Sequence, residues 1–386
     1  MMIPYGRQSI REEDIQAVVR VLRSDFLTQG PAIPKFEGAV AQLCGAKHAA
    51  AVSSATAGLH LACLALDVGV GDLIWTSANT FAASANCARY CGADVDFVDI
   101  DPETLNLSVD ALAVKLTSAK RAGKLPKALI GTHFGGQPFD LRRVKDLSDE
   151  YGFAVIEDAA HAIGASYGGS PVGAGKYSRM TVFSFHPVKI MTTAEGGMVM
   201  TNDENLHRRI VSLRSHGITR DSAQLKEKNP EGWYYEQLEL GYNYRITDLQ
   251  AALGSSQLGR INQFIQRRRE LVARYDRMLD ELPVKTQKRE PGVESAHHLY
   301  VIRLDSSRVR RSRRDVFDRL REAGIGVNLH YLPVYLHPYY KSLGFRAGLC
   351  PEAERYMEEA ITLPLYFDLT ETEQDFVIEN LKQALS

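Results

Sequence analysis

The sequence predicts an α/β protein with a mostly parallel sheet, followed by a smaller α+β unit. Three observations carry that prediction. Between about residues 35 and 205, short apolar runs rich in β-branched residues alternate with amphipathic stretches, the pattern of a layered α/β sheet. The chain has 386 residues, more than the ~100–200 of one domain, so two units around sizeable cores are expected. Hydrophobic residues make up 45% and charged residues 24%, ordinary globular usage that excludes a disordered or collagen-like chain.

The elements follow in order. Residues 57–66 (AGLHLACLAL) read as an amphipathic helix after the small-residue turn Ser53-Ser54-Ala55-Thr56. Residues 73–76, 95–99 and 128–132 are apolar runs that read as strands. A charged amphipathic helix over 141–151 leads into a strand at 153–156, and strands at 182–185 and 198–201 complete the series. One long helix is predicted from Thr247-Asp248, where either residue can cap, through residue 279. It would make a hinge. Beyond it lie a strand at 299–304, a helix at 313–323 and a terminal helix at 376–384. The expected division is a large domain of residues 12–250 and a small domain of residues 251–386 with 1–11, without a Pro/Gly/Ser linker.

Charge and cysteine usage narrow the function classes. Lys plus Arg number 46 against 47 Asp plus Glu, a net charge of −1, so no global field exists to hold DNA or an anionic membrane. Cys44, Cys63, Cys87, Cys91 and Cys350 are too few and scattered for a disulfide framework. Cys87 and Cys91 lack a second Cys or His pair, so no metal site is expected. The start MMIPYGRQSIREED has no apolar segment of the signal-peptide kind, and no run approaches the ~18 apolar residues of a membrane span. A cytoplasmic globular protein is expected.

Two residues carry the chemistry. The apolar strand that ends Ile156-Glu157-Asp158 delivers a carboxylate to the carboxyl edge of the sheet, where ligands of open α/β sheets sit. Thirty-one residues on (189 − 158), Ser184-Phe185-His186-Pro187-Val188-Lys189 ends the next apolar run with a lysine in a nearly uncharged neighbourhood. Alone, Lys189 reads as a solvated loop lysine and Asp158 as a turn residue. Together they are what pyridoxal 5′-phosphate requires: a lysine for its Schiff base, and an anion that holds the pyridine nitrogen protonated. The lysine must shed its proton, which desolvation favours. Backbone donors of Ala55, Thr56 and Ala57 at a helix start suit the phosphate, and Ser184 could add a hydroxyl. Phe81, after a strand, could offer the ring an aromatic face or simply fill the core.

At these residues the chain resembles the DegT/DnrJ/EryC1/StrS sugar aminotransferases over nearly its whole length. The likeness rests on Ser54-Ala55-Thr56-Ala57-Gly58-Leu59-His60, on Glu157-Asp158-Ala159-Ala160-His161, on Ser184 to Lys189 with Glu195-Gly196-Gly197, and on Gly241-Tyr242-Asn243-Tyr244-Arg245-Ile246-Thr247-Asp248. The resemblance implies fold type I of the pyridoxal-phosphate transferases, like aspartate aminotransferase, and a homodimer with shared active sites. It makes Lys189 the Schiff-base lysine and Asp158 the partner of the ring nitrogen. His161 takes a position near the ring, Ser184 and residues 55–57 look like phosphate ligands, and Asn243 matches a residue that reaches the neighbouring subunit's phosphate. One branch of the family carries His where Lys189 stands and dehydrates sugars, so the lysine here favours transamination.

Finer features resemble the branch that serves pseudaminic acid synthesis. They are Asp25-Phe26-Leu27-Thr28, the His-Pro before Val188, and Asn328-Leu329-His330-Tyr331. That likeness implies amino transfer from glutamate to C4 of a UDP-linked 4-keto-6-deoxy-N-acetylhexosamine. Tyr5, Asp25, Phe26, Leu27, Thr28, Asn328, Leu329, His330 and Tyr331, with Ala55, Ser184 and Asn243, would contact it. Asn328-Leu329 departs from the usual pattern at the sugar end. The alternatives are 4- or 3-amino transfer to another nucleotide-linked keto sugar, such as a UDP-4-keto-pentose or a perosamine-type substrate, dehydration, or a non-catalytic amino-sugar sensor. The sensor would want a DNA-binding appendage, for which the two domains leave no room.

Two further signals are set aside. The Gly-rich stretch 164–176 fails the phosphate-loop spacing, because Ser170 stands where the first Gly is needed and Tyr177 where Ser or Thr is, so it reads as a turn and small hairpin. The basic run Arg308-Val309-Arg310-Arg311-Ser312-Arg313-Arg314 lacks interleaved aromatics and reads as a solvated face rather than a nucleic-acid site, with steering of a sugar nucleotide's diphosphate as the alternative.

Overall fold

Continuous apolar runs become buried strands, as expected for a parallel sheet covered on both faces. A computed structural model describes residues 2–228 and 230–386. Its central sheet has seven strands: β1 (His48–Val52), β2 (Leu73–Ser77), β3 (Asp94–Val98), β4 (Ala128–Thr132), β5 (Ala154–Asp158), β6 (Met180–Ser184) and β7 (Gly197–Thr201). Their spatial order is β1-β7-β6-β5-β4-β2-β3. The β2–β3, β2–β4, β4–β5 and β5–β6 pairs are parallel, and β7 runs antiparallel between β6 and β1. Register sets Thr132 of β4 beside Asp158 of β5.

Helices pack on both faces: α1 (Glu12–Leu22), α2 (Ala32–Cys44), α3 (Ala55–Ala65), α4 (Ala83–Tyr90), α5 (Val109–Ala122), α6 (Leu141–Tyr151) and α7 (Glu204–Leu213). Helix α3 is apolar almost all round and buried from Ala57 to Cys63. Its small residues permit that. A Cβ on Gly58 would stand 2.9 Å from Val182 and 3.1 Å from Val199, so glycine lets the helix lie against β6 and β7.

The long helix predicted from 247 to 279 is instead two helices, α8 (Asp248–Leu258) and α9 (Ile261–Leu279). The break falls at Gly259-Arg260, where Arg260 turns to φ −112° and ψ 9°. Arg260 then pairs with the buried Asp14, which also accepts from Gln257 at 2.7 Å and Ser256 at 2.6 Å. A tertiary ion pair thus overrides a helical pattern that continues through the break. Thr247 caps α8 in a reciprocal box with Gln250.

The C-terminal part holds an antiparallel sheet of β8 (Val284–Thr286), β9 (Tyr300–Leu304) and β10 (Ala360–Leu363), with β9 central. Helices α9, α10 (Arg313–Glu322) and α11 (Glu371–Leu385) share its core through Val272, Tyr275, Leu320 and Ile378. The terminal helix starts five residues earlier than predicted (376 − 371) because Thr370 and Glu373 form a capping box. Tyr335, Tyr340 and Tyr356 reach back into the core of the large sheet. The Gly-rich stretch forms the small hairpin expected, Ser166–Tyr167 with Ser170–Pro171.

Candidate active site

Asp158 closes β5 and is buried at the carboxyl edge of the sheet. Its Oδ1 accepts the Ala160 N–H at 3.1 Å, and its Oδ2 accepts the Ser84 hydroxyl at 2.5 Å. Lys189 follows β6 in a turn where its own N–H donates to the His186 carbonyl at 2.9 Å. Both side chains line one cavity of ≈ 570 Å³. Burial pushes the Lys189 amine down from 10.5 to about 8, and the Asp158 charge works against that shift. The amine is therefore poised to lose its proton near neutral pH, as a carbonyl nucleophile must.

The cavity has a donor end. Ser54 caps α3 by accepting the Ala57 N–H at 3.1 Å, which leaves the first-turn N–H groups of Ala55 and Thr56 without acceptors inside the helix. Ala55, Thr56 and Ser184 line the cavity there. Gly197 makes room for this turn, since a Cβ on it would stand 2.7 Å from the Ala55 nitrogen. Positive helix-end potential and free donors suit a phosphate. Ala57 does not line the cavity, and its N–H donates to the Ser54 hydroxyl at the helix cap instead of facing it. That corrects the expectation for it.

Another part of the lining is aromatic. His161 Nε2 lies 3.1 Å from the Tyr331 hydroxyl, while its Nδ1 is buried without a partner. Burial, reinforced by Lys189, holds the His161 imidazole well below its usual range, so the ring is neutral. Phe81 lies at the mouth, 60% exposed, with its ring 6.2 Å from that of Tyr331. His330 donates to or accepts from Thr362 at 2.9 Å and packs 5.2 Å from the Tyr5 ring. Burial pushes His330 down to about 3. Asn328 and Leu329 complete this end.

Not every expected residue converges. Asp25, Phe26, Leu27 and Thr28 are exposed and lie outside the cavity, tied to the start of α8 by the Asp248 N–H on the Leu27 carbonyl at 3.0 Å and by a Thr28–Thr247 bridge. Asn243 is likewise exposed and bridges to Ser215. Conversely, Thr80, Thr132, His186, Glu195 and His298 line the cavity without having been expected. Ser84, behind it, holds Asp158 across 74 residues of sequence. Only the proximity of Thr80 and Ser84 to Phe81 in sequence could have flagged them.

The residues fit pyridoxal 5′-phosphate. The cavity falls within the ~300–1,000 Å³ usual for small-molecule sites. A depressed lysine, a buried carboxylate, unpaired helix-start donors and an orphaned histidine nitrogen supply one partner for each polar end of that group.

Comparison with known proteins agrees with this geometry. Residues 8–382 match the DegT/DnrJ/EryC1/StrS aminotransferase family. The chain is 37% identical to the spore coat polysaccharide biosynthesis protein SpsC of Bacillus subtilis, over 99% of this chain and 97% of that one. Among solved structures it is similar to Spr1654 from Streptococcus pneumoniae in its PMP form, at a TM-score of 0.88 and 31% identity, covering 99% of this chain and 98% of the other. It is also similar to Helicobacter pylori PseC, an aminotransferase involved in the biosynthesis of pseudoaminic acid, at a TM-score of 0.90 and 28% identity over 100% and 99%.

Proposed function

The chain belongs to the DegT/DnrJ/EryC1/StrS aminotransferase family, and we propose that it moves an amino group from glutamate to C4 of a UDP-linked 4-keto-6-deoxy-N-acetylhexosamine. It is a sugar aminotransferase of fold type I that uses pyridoxal 5′-phosphate. The observation that carries the reading is the placement of Lys189 and Asp158 in one cavity, with the amine held down to about 8. The likeness to PseC supports the choice of sugar.

Bound in the cavity, the cofactor would supply an electron-withdrawing ring and a carbonyl that stores the amino group. Asp158 would hold the proton on the ring nitrogen, and the Ala55 and Thr56 N–H groups with Ser184 would hold the phosphate. Lys189 Nζ would take the proton from Cα of glutamate and, in the reverse sense, deliver one at C4 of the sugar. His161, neutral, can donate or accept a hydrogen bond without placing a second positive charge beside the lysine. The exposed Asn243 and the segment Asp25, Phe26, Leu27 and Thr28 would meet the partner subunit of a homodimer and complete its site. No helix among the described residues is long and apolar enough to cross a membrane, and soluble substrates suit a cytoplasmic enzyme.

A second reading keeps the chemistry and changes the sugar. Leu329, apolar where the cavity would meet the sugar, and the likeness to SpsC favour a different nucleotide-linked 4-keto sugar. One assay separates the two. UDP- and dTDP-linked 4-keto sugars are offered with glutamate, and products are read by mass. Amination of the UDP-linked N-acetyl sugar is expected. Turnover confined to a pentose, a perosamine-type or a dTDP substrate would overturn the first reading.

A further inference from the structure

Ser84 is the second residue of α4 and is fully buried, yet its hydroxyl does not cap that helix. It lies 2.5 Å from Asp158 Oδ2 instead. Behind it, the Thr80 hydroxyl stands 2.8 Å from Ser84 Oγ and 2.7 Å from Thr132 Oγ1. Thr80 and Thr132 are buried as well, and Thr132 sits beside Asp158 in the register of β4 and β5.

The direction of this chain follows from its end. An ionised carboxylate has no proton to give, so Ser84 must donate to Asp158. The Ser84 oxygen then accepts from Thr80, and the Thr80 oxygen accepts from Thr132. All three O–H bonds point toward the charge, and each polarises the next. A core that needed only volume would put apolar residues here. Three buried hydroxyls in a row, ending on one carboxylate oxygen, stabilise negative charge at that oxygen.

We propose that Ser84, Thr80 and Thr132 are positioning residues that fix Asp158 Oδ2 and hold its negative charge in place, so that the ring-nitrogen proton of the cofactor stays on the ring. The inference rests on the reading of Asp158 as the ring-nitrogen partner. The Ala160 N–H on Oδ1 acts in the same sense, while Lys189 and Tyr331 are the titratable groups that feel the Asp158 charge and His161 lines the same cavity.

The test uses the holoenzyme in wild-type, Ser84→Ala and Thr80→Val forms. Two things are read: the midpoint of the pH titration of the bound cofactor's visible absorption, and kcat with KM for glutamate. Without the Ser84 donor, the Asp158 charge loses a hydrogen bond that held it, and the ring-nitrogen proton moves toward the carboxylate. The ring then withdraws electrons less, so the group at its carbonyl carbon holds its proton to higher pH. The midpoint should rise by about half to one unit in Ser84→Ala. kcat should fall by about tenfold with KM changed less than about twofold. Thr80→Val, which keeps the volume, should shift the midpoint in the same direction by less. If Ser84→Ala does not fold, Thr80→Val alone decides: a rise supports the chain and an unmoved midpoint overturns it. A wild-type visible band with unmoved midpoints in both variants overturns the hydroxyl chain alone. Absence of that band in the wild type overturns the cofactor reading and the chain with it.

Discussion

Lys189 and Asp158 reach one cavity from the ends of neighbouring parallel strands, and the carboxylate opposes the burial that depresses the amine. The balance leaves the lysine at about 8 rather than 10.5. Full desolvation alone would drive it lower, and full exposure to Asp158 would keep it charged.

That balance has a pH signature in the cofactor-free protein. The unfolded chain keeps the Lys189 proton until about 10.5, whereas the folded chain releases it near 8, so between those values the unfolded state binds more protons. Stability should rise with pH across that window, by about 3 kcal/mol at most. Below the window both states are protonated, and the cost of the buried charge is paid in full. The measurement is the melting temperature of wild type minus that of Lys189→Met from about pH 7 to 10. The difference should climb. A flat difference would show that the amine reaches solvent.

Lys189→Ala should lower turnover by at least about three orders of magnitude while cofactor still binds through the α3 turn and Asp158. Borohydride reduction of the wild type followed by peptide mapping should place the label on Lys189. A label on any other lysine would remove Lys189 from the mechanism.

Asp158→Asn keeps the shape and removes the charge. A charge-assisted hydrogen bond is worth ~1.5–3 kcal/mol, so cofactor affinity should drop by about one to two orders of magnitude. Turnover should fall further than affinity, because the ring proton is lost as well. The checks are a cofactor titration and single-turnover kinetics. Near-normal values for both would assign the role to another group.

Much of the fold was legible in the sequence because buried parallel strands are written as plain apolar runs. The strands ending at Asp158 and Ser184 came out within a few residues of their predicted bounds. Strand β1 was not foreseen, since His48-Ala49-Ala50-Ala51-Val52 carries one β-branched residue and alanine favours helix. The break at Gly259 escaped because a single glycine costs a helix only ~1 kcal/mol, and the deciding Arg260–Asp14 pair spans 246 residues. At the site, Lys189 and Asp158 were legible because each ends an apolar run with a charge. Ser84 was not: its role exists only through a contact 74 residues away.

The remaining prediction concerns residues that the single chain leaves outside its own cavity. Asn243 is exposed, bridged through its backbone to Ser215, and lies on the approach to α8, 54 residues past Lys189 (243 − 189). Its amide can donate and accept at once, which suits a phosphate oxygen on one side and a backbone group on the other. Phe26 and Leu27, 53% and 48% exposed, lie on the segment that meets the same end of α8. An exposed apolar segment at the start of α8 and an exposed amide five residues ahead of that helix (248 − 243) are what a two-fold interface would cover. If Asn243 serves the partner's site, then Lys189→Ala and Asn243→Ala chains should complement. In a mixed dimer, one site carries both lesions and the other neither, so about half of the wild-type activity should return. The two chains are coexpressed with different affinity tags, and the doubly tagged dimer is isolated and assayed. Recovery near that level supports a shared site. A doubly tagged dimer no more active than the parents would mean that Asn243 serves its own subunit, and the dimer would lose its catalytic purpose.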